Sequence, residues 1–170
     1  MATLPQLIEE DIRSLDETLR DYLTKTDAMV ALIIDKGGFM ISHQGNVAEL
    51  DLTTIGALAS GAFMASQTIA GLVNEKDFNH TALQGEKFSL FTIGIDDQCL
   101  LVVVFRSMTG LGVVKYYSTA TVVRLAQQMI VARDRDPSAG LDLSVMNVAD
   151  PQDFFRKKTV PARDDLAAEG

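Results

Sequence analysis

The stretch LTTIGALASGAFMASQTIAGLVN, residues 52–74, contains no charged side chain. It has the length of a long helix, and Asp51, Thr53 or Thr54 supplies a side-chain oxygen that can cap its first turn. A helix at the surface of a soluble protein normally shows charged residues to water. This stretch therefore predicts a helix that protein covers on more than one side.

A rotation of about 100° per residue sorts this helix into three strips. The first strip is apolar and is predicted to lie on a sheet: Ile55, Leu58, Ala62, Ile69 and Val73. The second strip, on the opposite side, is uncharged and mostly small: Ala57, Gly61, Met64, Thr68 and Gly71. The third strip lies laterally between them: Gly56, Ser60, Phe63, Gln67 and Asn74.

Two arrangements can cover such a helix. The first and last helices of the chain can bury it within the domain, but both look amphipathic and committed to the sheet. Other chains can cover it instead, and a copy of the same chain is the simplest partner because a two-fold interface uses one patch twice. Side-by-side pairing would bury the lateral strip Gly56, Ser60, Phe63 and Gln67. It would leave the opposite strip as a joint platform for a third partner.

The flanking sequence predicts the rest of the fold. Residues 4–24 have apolar residues at helical spacing, and AMVALIID and FMIS form a hairpin around KGG. Residues 80–107 contain three strands, of which CLLVVVF is apolar throughout and is expected at the centre of the sheet. Residues 113–131 form the last helix. The fold class is α/β in the layered α+β sense, a five-stranded antiparallel sheet with helices packed on it, in the order α-β-β-α-β-β-β-α.

The domain is predicted to span residues 1–132. Residues 133–170 hold three of the chain's four prolines and dense mixed charge, which predicts a flexible tail. Phe154 and Phe155, within DPQDFFRKK, are the candidate docking element of this tail.

Composition restricts the partners. Hydrophobic residues make up 47% and charged residues 22%, which is typical of a folded globular chain. The net charge of −8 argues against nucleic acid and against an anionic membrane surface as partners. Polar residues interrupt residues 52–74, and Asp51 and Glu75 flank them, which argues against a membrane span. The N-terminus does not resemble a signal peptide, so we expect a cytoplasmic protein.

Catalytic and metal-binding patterns are missing from the sequence. His43 and His80 have no partner at metal-ligand spacing, and the single cysteine, Cys99, lies in an apolar run where a buried side chain is expected. No phosphate-binding loop or nucleophile elbow is present. We therefore expect a protein that is not an enzyme and needs no cofactor.

Three segments resemble the roadblock/dynein light chain family, and most closely its bacterial branch, the MglB-like regulators of small Ras-like GTPases. They are LIIDKGGFMISHQG in the hairpin, DLTTIGALASGAFMA running on to NEKDF in the uncharged helix, and LLVVVFRSMTGLGVVK in the last strand and helix. The likeness covers about residues 4–131. Longin-like and profilin-like domains share the architecture.

The resemblance implies a homodimer whose central helices pair and carry a small Ras-like GTPase. Such a regulator changes GTP hydrolysis or nucleotide exchange by holding the GTPase in a competent conformation, without supplying catalytic residues of its own. By position in the matching helix, Met64 and Thr68 are expected to contact the GTPase. Family relatives often carry a basic residue near the helix end, where this chain has Gly71. Cell polarity and motility are the processes that the family suggests.

Two other functions remain open at this point. The protein could be a scaffold or adaptor subunit of a signalling or motility complex, docking through its tail with no effect on nucleotide turnover. It could also be a small-molecule sensor that uses the sheet, although no cluster of polar groups converges in an apolar setting.

Overall fold

The computed structural model describes residues 6–135. Its elements in chain order are α1 (Glu9–Thr26), β1 (Val30–Asp35), β2 (Met40–Gly45), α2 (Leu52–Leu72), β3 (His80–Gln84), β4 (Phe88–Gly94), β5 (Cys99–Arg106), a short 3-10 turn (Ser107–Thr109) and α3 (Leu111–Asp134). This order confirms the predicted α-β-β-α-β-β-β-α pattern. The helix α3 runs past residue 132, and the domain boundary placed there stays a prediction.

The five strands form one antiparallel sheet in the order β2-β1-β5-β4-β3. The strand β5 occupies the middle, and every residue from Cys99 to Phe105 is buried. Side chains of a strand alternate between faces, so a strand apolar at each position needs cover on both sides. The predicted central position of CLLVVVF is therefore confirmed.

Two apolar layers cover the sheet, one on each face. On one face, α1 and α3 contribute Leu15, Leu19, Leu125 and Met129 to a core that includes Phe91. On the other face, α2 alone contributes Leu52, Ala59 and Phe63. The protein therefore has two helices on one side of the sheet and a single helix on the other.

Polar contacts fix the helices at defined positions. Asp51 caps α2, since its carboxylate accepts hydrogen bonds from the amide of Thr54 at 3.1 Å and from its hydroxyl at 2.6 Å. Between α1 and α3, the hydroxyl groups of Tyr22 and Ser118 form a buried hydrogen bond of 2.9 Å. Burial raises the pKa of Tyr22 to about 12, so this phenol stays protonated and able to donate.

The buried carboxylate of Asp11 joins the first turn of α1 to the end of α3. It accepts a hydrogen bond from the amide of Ile8 at 2.9 Å and two from the guanidinium of Arg135, at 2.7 and 2.8 Å. The side-chain amide of Gln128 donates a further bond at 3.2 Å. The hydrogen bonds from Arg135 are the main reason that the pKa of Asp11 falls to about 2.

Candidate protein-interaction surface

The helix α2 contacts its own sheet through a narrow row of mostly small residues. The buried members of this row are Leu52, Gly56, Ala59, Ser60, Phe63 and Ala70. Their spacing of three, four or seven residues places them on one side of the helix. The remainder of α2 carries no charge and is largely exposed.

The predicted orientation of α2 on the sheet is wrong by about 100°, the rotation of one residue. Leu58 is 69% exposed and Ile69 is 51% exposed, although both were expected to face the sheet. Val73 and Ala62 are exposed as well, and Ile55 is half-buried. The residues that do face the sheet are smaller, so the backbone of α2 lies close to β1. Even a Cβ added at Gly56 would lie only 3.2 Å from the Cγ2 of Ile34.

The lateral strip assigned to the dimer interface lies against the chain itself, because the helix is rotated. Gly56, Ser60 and Phe63 are buried on the sheet. The hydroxyl of Ser60 donates a hydrogen bond of 2.5 Å to the carbonyl oxygen of Lys36. Gln67 pairs with the backbone of Phe78, donating at 2.7 Å and accepting at 3.1 Å. Within one chain Gly56, Ser60 and Phe63 are covered by the sheet and Gln67 is half-buried, and the place of these residues in a dimer interface stays a prediction.

The strip predicted to carry a partner is exposed in the structure. We call it the platform strip, and its residues are Ala57, Gly61, Met64, Thr68 and Gly71. A Cβ built at Gly61 or at Gly71 would meet no atom of the chain within 4 Å. These two glycines are therefore not required by packing within the described domain.

A second exposed strip lies beside it, and three of its residues, Leu58, Ala62 and Ile69, were predicted to face the sheet. We call it the apolar strip, and its residues are Leu58, Ala62, Ala65, Ile69 and Leu72. They follow one another at intervals of four and three residues, which is the spacing that packs one helix along another. Helical periodicity alone could have revealed this strip, but it could not decide which of two apolar sides meets the sheet.

The β1–β2 hairpin adds an aromatic side chain that the sequence analysis did not single out. Gly38, in the turn, has a φ of +89°, and a Cβ there would lie only 2.7 Å from the Cα of Ala57. The next residue, Phe39, is 75% exposed. Its amide donates a hydrogen bond of 2.9 Å to the carboxylate of Asp35. The hairpin thus exposes a phenyl ring one residue along the chain from its contact with Ala57, a member of the platform strip.

The described residues offer little for catalysis. Residues 6–135 contain no group of three or more His, Cys, Asp or Glu side chains that could hold a metal ion. Burial raises the pKa of Cys99 to about 12, which leaves this thiol unreactive. Burial, with the nearby charge of Lys115, lowers the pKa of His80. These groups do not form a catalytic constellation together.

One cleft of about 570 Å³ is lined by residues of α2, α3, the strand β4 and the loops next to them. Its lining mixes charges of both signs, including Lys36, Lys115, Asp77 and Asp97. Asp96, also in the lining, accepts a hydrogen bond of 3.1 Å from Arg133. The mixture favours no particular ligand charge.

The helix α2 is also the one helix among residues 6–135 that is long and apolar enough to cross a membrane, judged by length and composition. Phe78, in the loop that follows α2, is tied to the Gln67 side chain by the two hydrogen bonds described above. The exposed apolar and uncharged surface of this helix consists of the platform strip and the apolar strip.

Phe154 and Phe155, the predicted docking element, lie outside the described residues. Their role stays a prediction.

Comparisons with known proteins agree with this geometry. The structure resembles one described as MglB with a tetrameric arrangement, at 28% identity and a TM-score of 0.72, covering 78% of this chain and 99% of that one. It resembles the gliding protein MglB of Thermus thermophilus, at 29% identity and a TM-score of 0.71, with 78% and 100% covered. It also resembles Myxococcus xanthus MglB, at 25% identity and a TM-score of 0.70, with 76% and 97% covered.

No curated protein sequence matches this chain. The family model of the Roadblock/LC7 domain matches residues 14–105, a segment that runs from the middle of α1 to the end of β5 and includes all of α2. The match covers more than half of the chain and agrees with the sheet topology. This chain therefore belongs to the Roadblock/LC7 family.

Proposed function

We propose that this protein is a dimeric, non-catalytic regulator that binds a small Ras-like GTPase and changes its GTP hydrolysis or nucleotide exchange. The observation that carries the proposal is the pair of uncharged, exposed strips on α2. In a chain with a net charge of −8, a long helix surface without any charge is the feature that most needs a partner. Similarity to MglB proteins supports this role at the level of the family.

We assign the self-contact to the apolar strip. Two α2 helices aligned along Leu58, Ile69 and Leu72 would remove these side chains from water. Each buried aliphatic side chain of this size contributes about 1.5–3 kcal/mol when it passes from exposed to buried. A similar MglB structure described as tetrameric shows that a relative self-associates.

We assign the GTPase contact to the platform strip. After the apolar strips pair, the platform strips of both copies remain uncovered beside them. Gly61 and Gly71 allow a partner backbone to approach closely, and Met64 provides a flexible apolar contact. Phe39, one residue after the Gly38–Ala57 contact, is suited to anchor the partner, because aromatic residues frequently dominate binding energy.

The GTPase contact is tested by adding a charged side chain to the platform strip. Thr68→Arg should abolish the effect of the protein on GTP turnover by a candidate GTPase, since the guanidinium would be desolvated without a partner. The measurement is GTP hydrolysis and nucleotide exchange, with and without the regulator.

Thr24→Arg, on α1, is a matched control. Thr24 is exposed, lies on the other side of the sheet, and bonds the carbonyl oxygen four residues earlier, as Thr68 does. The control should keep full regulatory effect. If Thr68→Arg regulates as well as Thr24→Arg, the platform strip is not the contact.

The same assay separates this proposal from a scaffold or adaptor. A scaffold would bind its partner and leave both nucleotide rates unchanged. We further propose that the protein acts in the cytoplasm, where small GTPases and their nucleotides are found.

A further inference from the structure

The outer side of α3 carries an uncharged stripe that resembles one side of a coiled coil. We call it the α3 stripe, and its residues are Val113, Tyr116, Ala120, Val123, Gln127 and Ile130. They follow one another at intervals of three and four residues without a break. All six are exposed; Tyr116 is 75% exposed and Ile130 is 50% exposed.

This stripe lies opposite the side by which α3 packs on its own domain. The packed side consists of Val114, Ser118, Thr121, Leu125, Met129 and Ala132. At about 100° per residue, the centres of the two sets lie about 170° apart. Contacts within the domain therefore do not explain the apolar character of the stripe.

The α3 stripe is complementary to itself in the antiparallel direction. Two-fold pairing about the midpoint between residues 121 and 122 places Val113 opposite Ile130. It places the small Ala120 opposite Val123. It also places the phenol of Tyr116 opposite the side-chain amide of Gln127, so the polar groups of the stripe meet as donor and acceptor. Each residue of the stripe therefore meets a residue of suitable size and polarity on the second copy.

The charges beside the stripe do not oppose this pairing. Arg124 is bound to Asp21 at 2.7 Å, and Arg133 is bound to Asp96 at 3.1 Å, both within the same chain. In the antiparallel arrangement Arg124 lies on the same flank of the pair as Tyr117 of the second copy. The two copies of Arg124 share that flank about five residues apart along the axis, and each is neutralised by Asp21 of its own chain.

The size of the stripe sets the expected strength. A helix segment from residue 113 to residue 130 is roughly 27 Å long and about 10 Å wide, a footprint of a few hundred Å² for each copy. Stable interfaces bury about 800 Å² for each partner. The contact alone should therefore be weak, and it should matter most when another interface already holds two copies together.

We propose that α3 pairs with α3 of a second copy, antiparallel about a two-fold axis, and that this contact joins dimers formed through α2 into larger assemblies. The two contacts use helices on opposite faces of the sheet, so one does not obstruct the other. The α3 contact does not depend on GTPase binding.

Light scattering of the full chain over a dilution series from about 1 µM to about 500 µM tests the proposal. These concentrations bracket the dissociation constant expected of a contact of this size. The wild type should exceed dimer mass at the upper end. Val123→Glu should remain a dimer throughout, because association through a buried carboxylate is weakened about tenfold or more. Lys115→Gln lowers the net charge equally on α3 outside the stripe and should behave as the wild type.

The variant Ile69→Glu separates this proposal from the proposed function. It weakens the α2 contact, and the association that remains should fall by a further factor of about ten or more when Val123→Glu is added. If the wild type and Val123→Glu have the same mass at every concentration, the α3 contact does not form. Ile69→Glu would still report on the α2 contact alone.

Cysteine cross-linking tests the direction of the pair. Val113→Cys and Ile130→Cys should each give little cross-linked dimer alone and should cross-link readily when mixed and oxidised. The native Cys99 is buried and should not react. A parallel pair would cross-link each variant separately. Absence of any cross-link in the mixture would overturn the proposal.

Discussion

Gly38 lies against the backbone of Ala57, so close that a Cβ on Gly38 would be 2.7 Å from the Cα of Ala57. Through this contact the β1–β2 hairpin rests on α2 beside the platform strip. The contact requires glycine for two reasons, since Gly38 also has a φ of +89°. The position of Phe39 depends on it.

Gly38→Ala should destabilise the protein by about 1–3 kcal/mol, because alanine is strained at a φ of +89° and its methyl group would displace the hairpin from α2. Urea unfolding measures the change. Gly37→Ala is the control, since its Cβ would meet only side-chain atoms of Asp35 and Phe39, at 3.1 Å or more. Equal destabilisation by the two substitutions would show that the close approach of Gly38 to Ala57 is not the cause.

Gly61→Ala and Gly71→Ala should each stabilise the isolated protein by about 0.5–1 kcal/mol, because alanine favours a helix and open space surrounds both positions. The same substitutions should weaken GTPase binding if a partner approaches closely there. Thermal unfolding and a binding titration measure the two effects. Gly56→Ala is the contrasting control and should destabilise the protein, because its methyl group would press on Ile34.

Two neighbouring residues on α2 should report on two different contacts. Ile69→Glu should weaken the self-association by about tenfold or more, because a carboxylate would be buried in the apolar strip. Thr68→Glu should leave the mass in solution unchanged and reduce binding of the GTPase. Light scattering and the turnover assay measure these effects. A loss of self-association in Thr68→Glu with none in Ile69→Glu would exchange the roles of the two strips.

Asp11→Asn should destabilise the protein by about 2 kcal/mol at neutral pH, since the pKa of Asp11 is lowered from 3.8 to about 2 by partners that prefer the carboxylate. A depressed pKa gives stability that is fully present above pH 3.8 and is lost as the pH falls through 2. The difference between Asp11→Asn and the wild type should therefore shrink at low pH. Urea unfolding at pH 7 and near pH 2 measures it; a difference independent of pH would exclude the ionised carboxylate as its source.

The architecture of this domain could be predicted from its sequence because hydrophobic patterning identifies the elements strongly. A run such as CLLVVVF has few alternatives to a central strand, and the structure places it there. Turn residues located the β1–β2 hairpin, although β2 runs to Gly45, three residues beyond the predicted FMIS. The pairing of β1 with β5 was not predicted, because it joins strands far apart in the chain.

The orientation of α2 could not be predicted in the same way. Both sides of this helix are uncharged, so hydrophobicity favoured Leu58 and Ile69 as the residues facing the sheet. The fold instead uses Gly56, Ala59 and Ser60, because small residues allow the helix backbone close to β1 and a hydroxyl can bond the Lys36 carbonyl oxygen. Such a contact depends on three-dimensional proximity, which periodicity does not contain. The platform strip is exposed because it lies next to the side of α2 that faces away from the sheet.

The ion pair between Asp11 and Arg135 brings the two ends of the described domain together. One carboxylate bonds both the amide of Ile8, just before α1, and the guanidinium of Arg135, just after α3. The beginning and the end of the described domain therefore meet at one corner, on the face of the sheet away from α2. A short linker between these ends, with a new opening at an exposed turn such as residues 85–87, should give a circular permutant that keeps both α2 strips. The chain could then be labelled or fused at that corner without obstructing the surface through which we propose it acts.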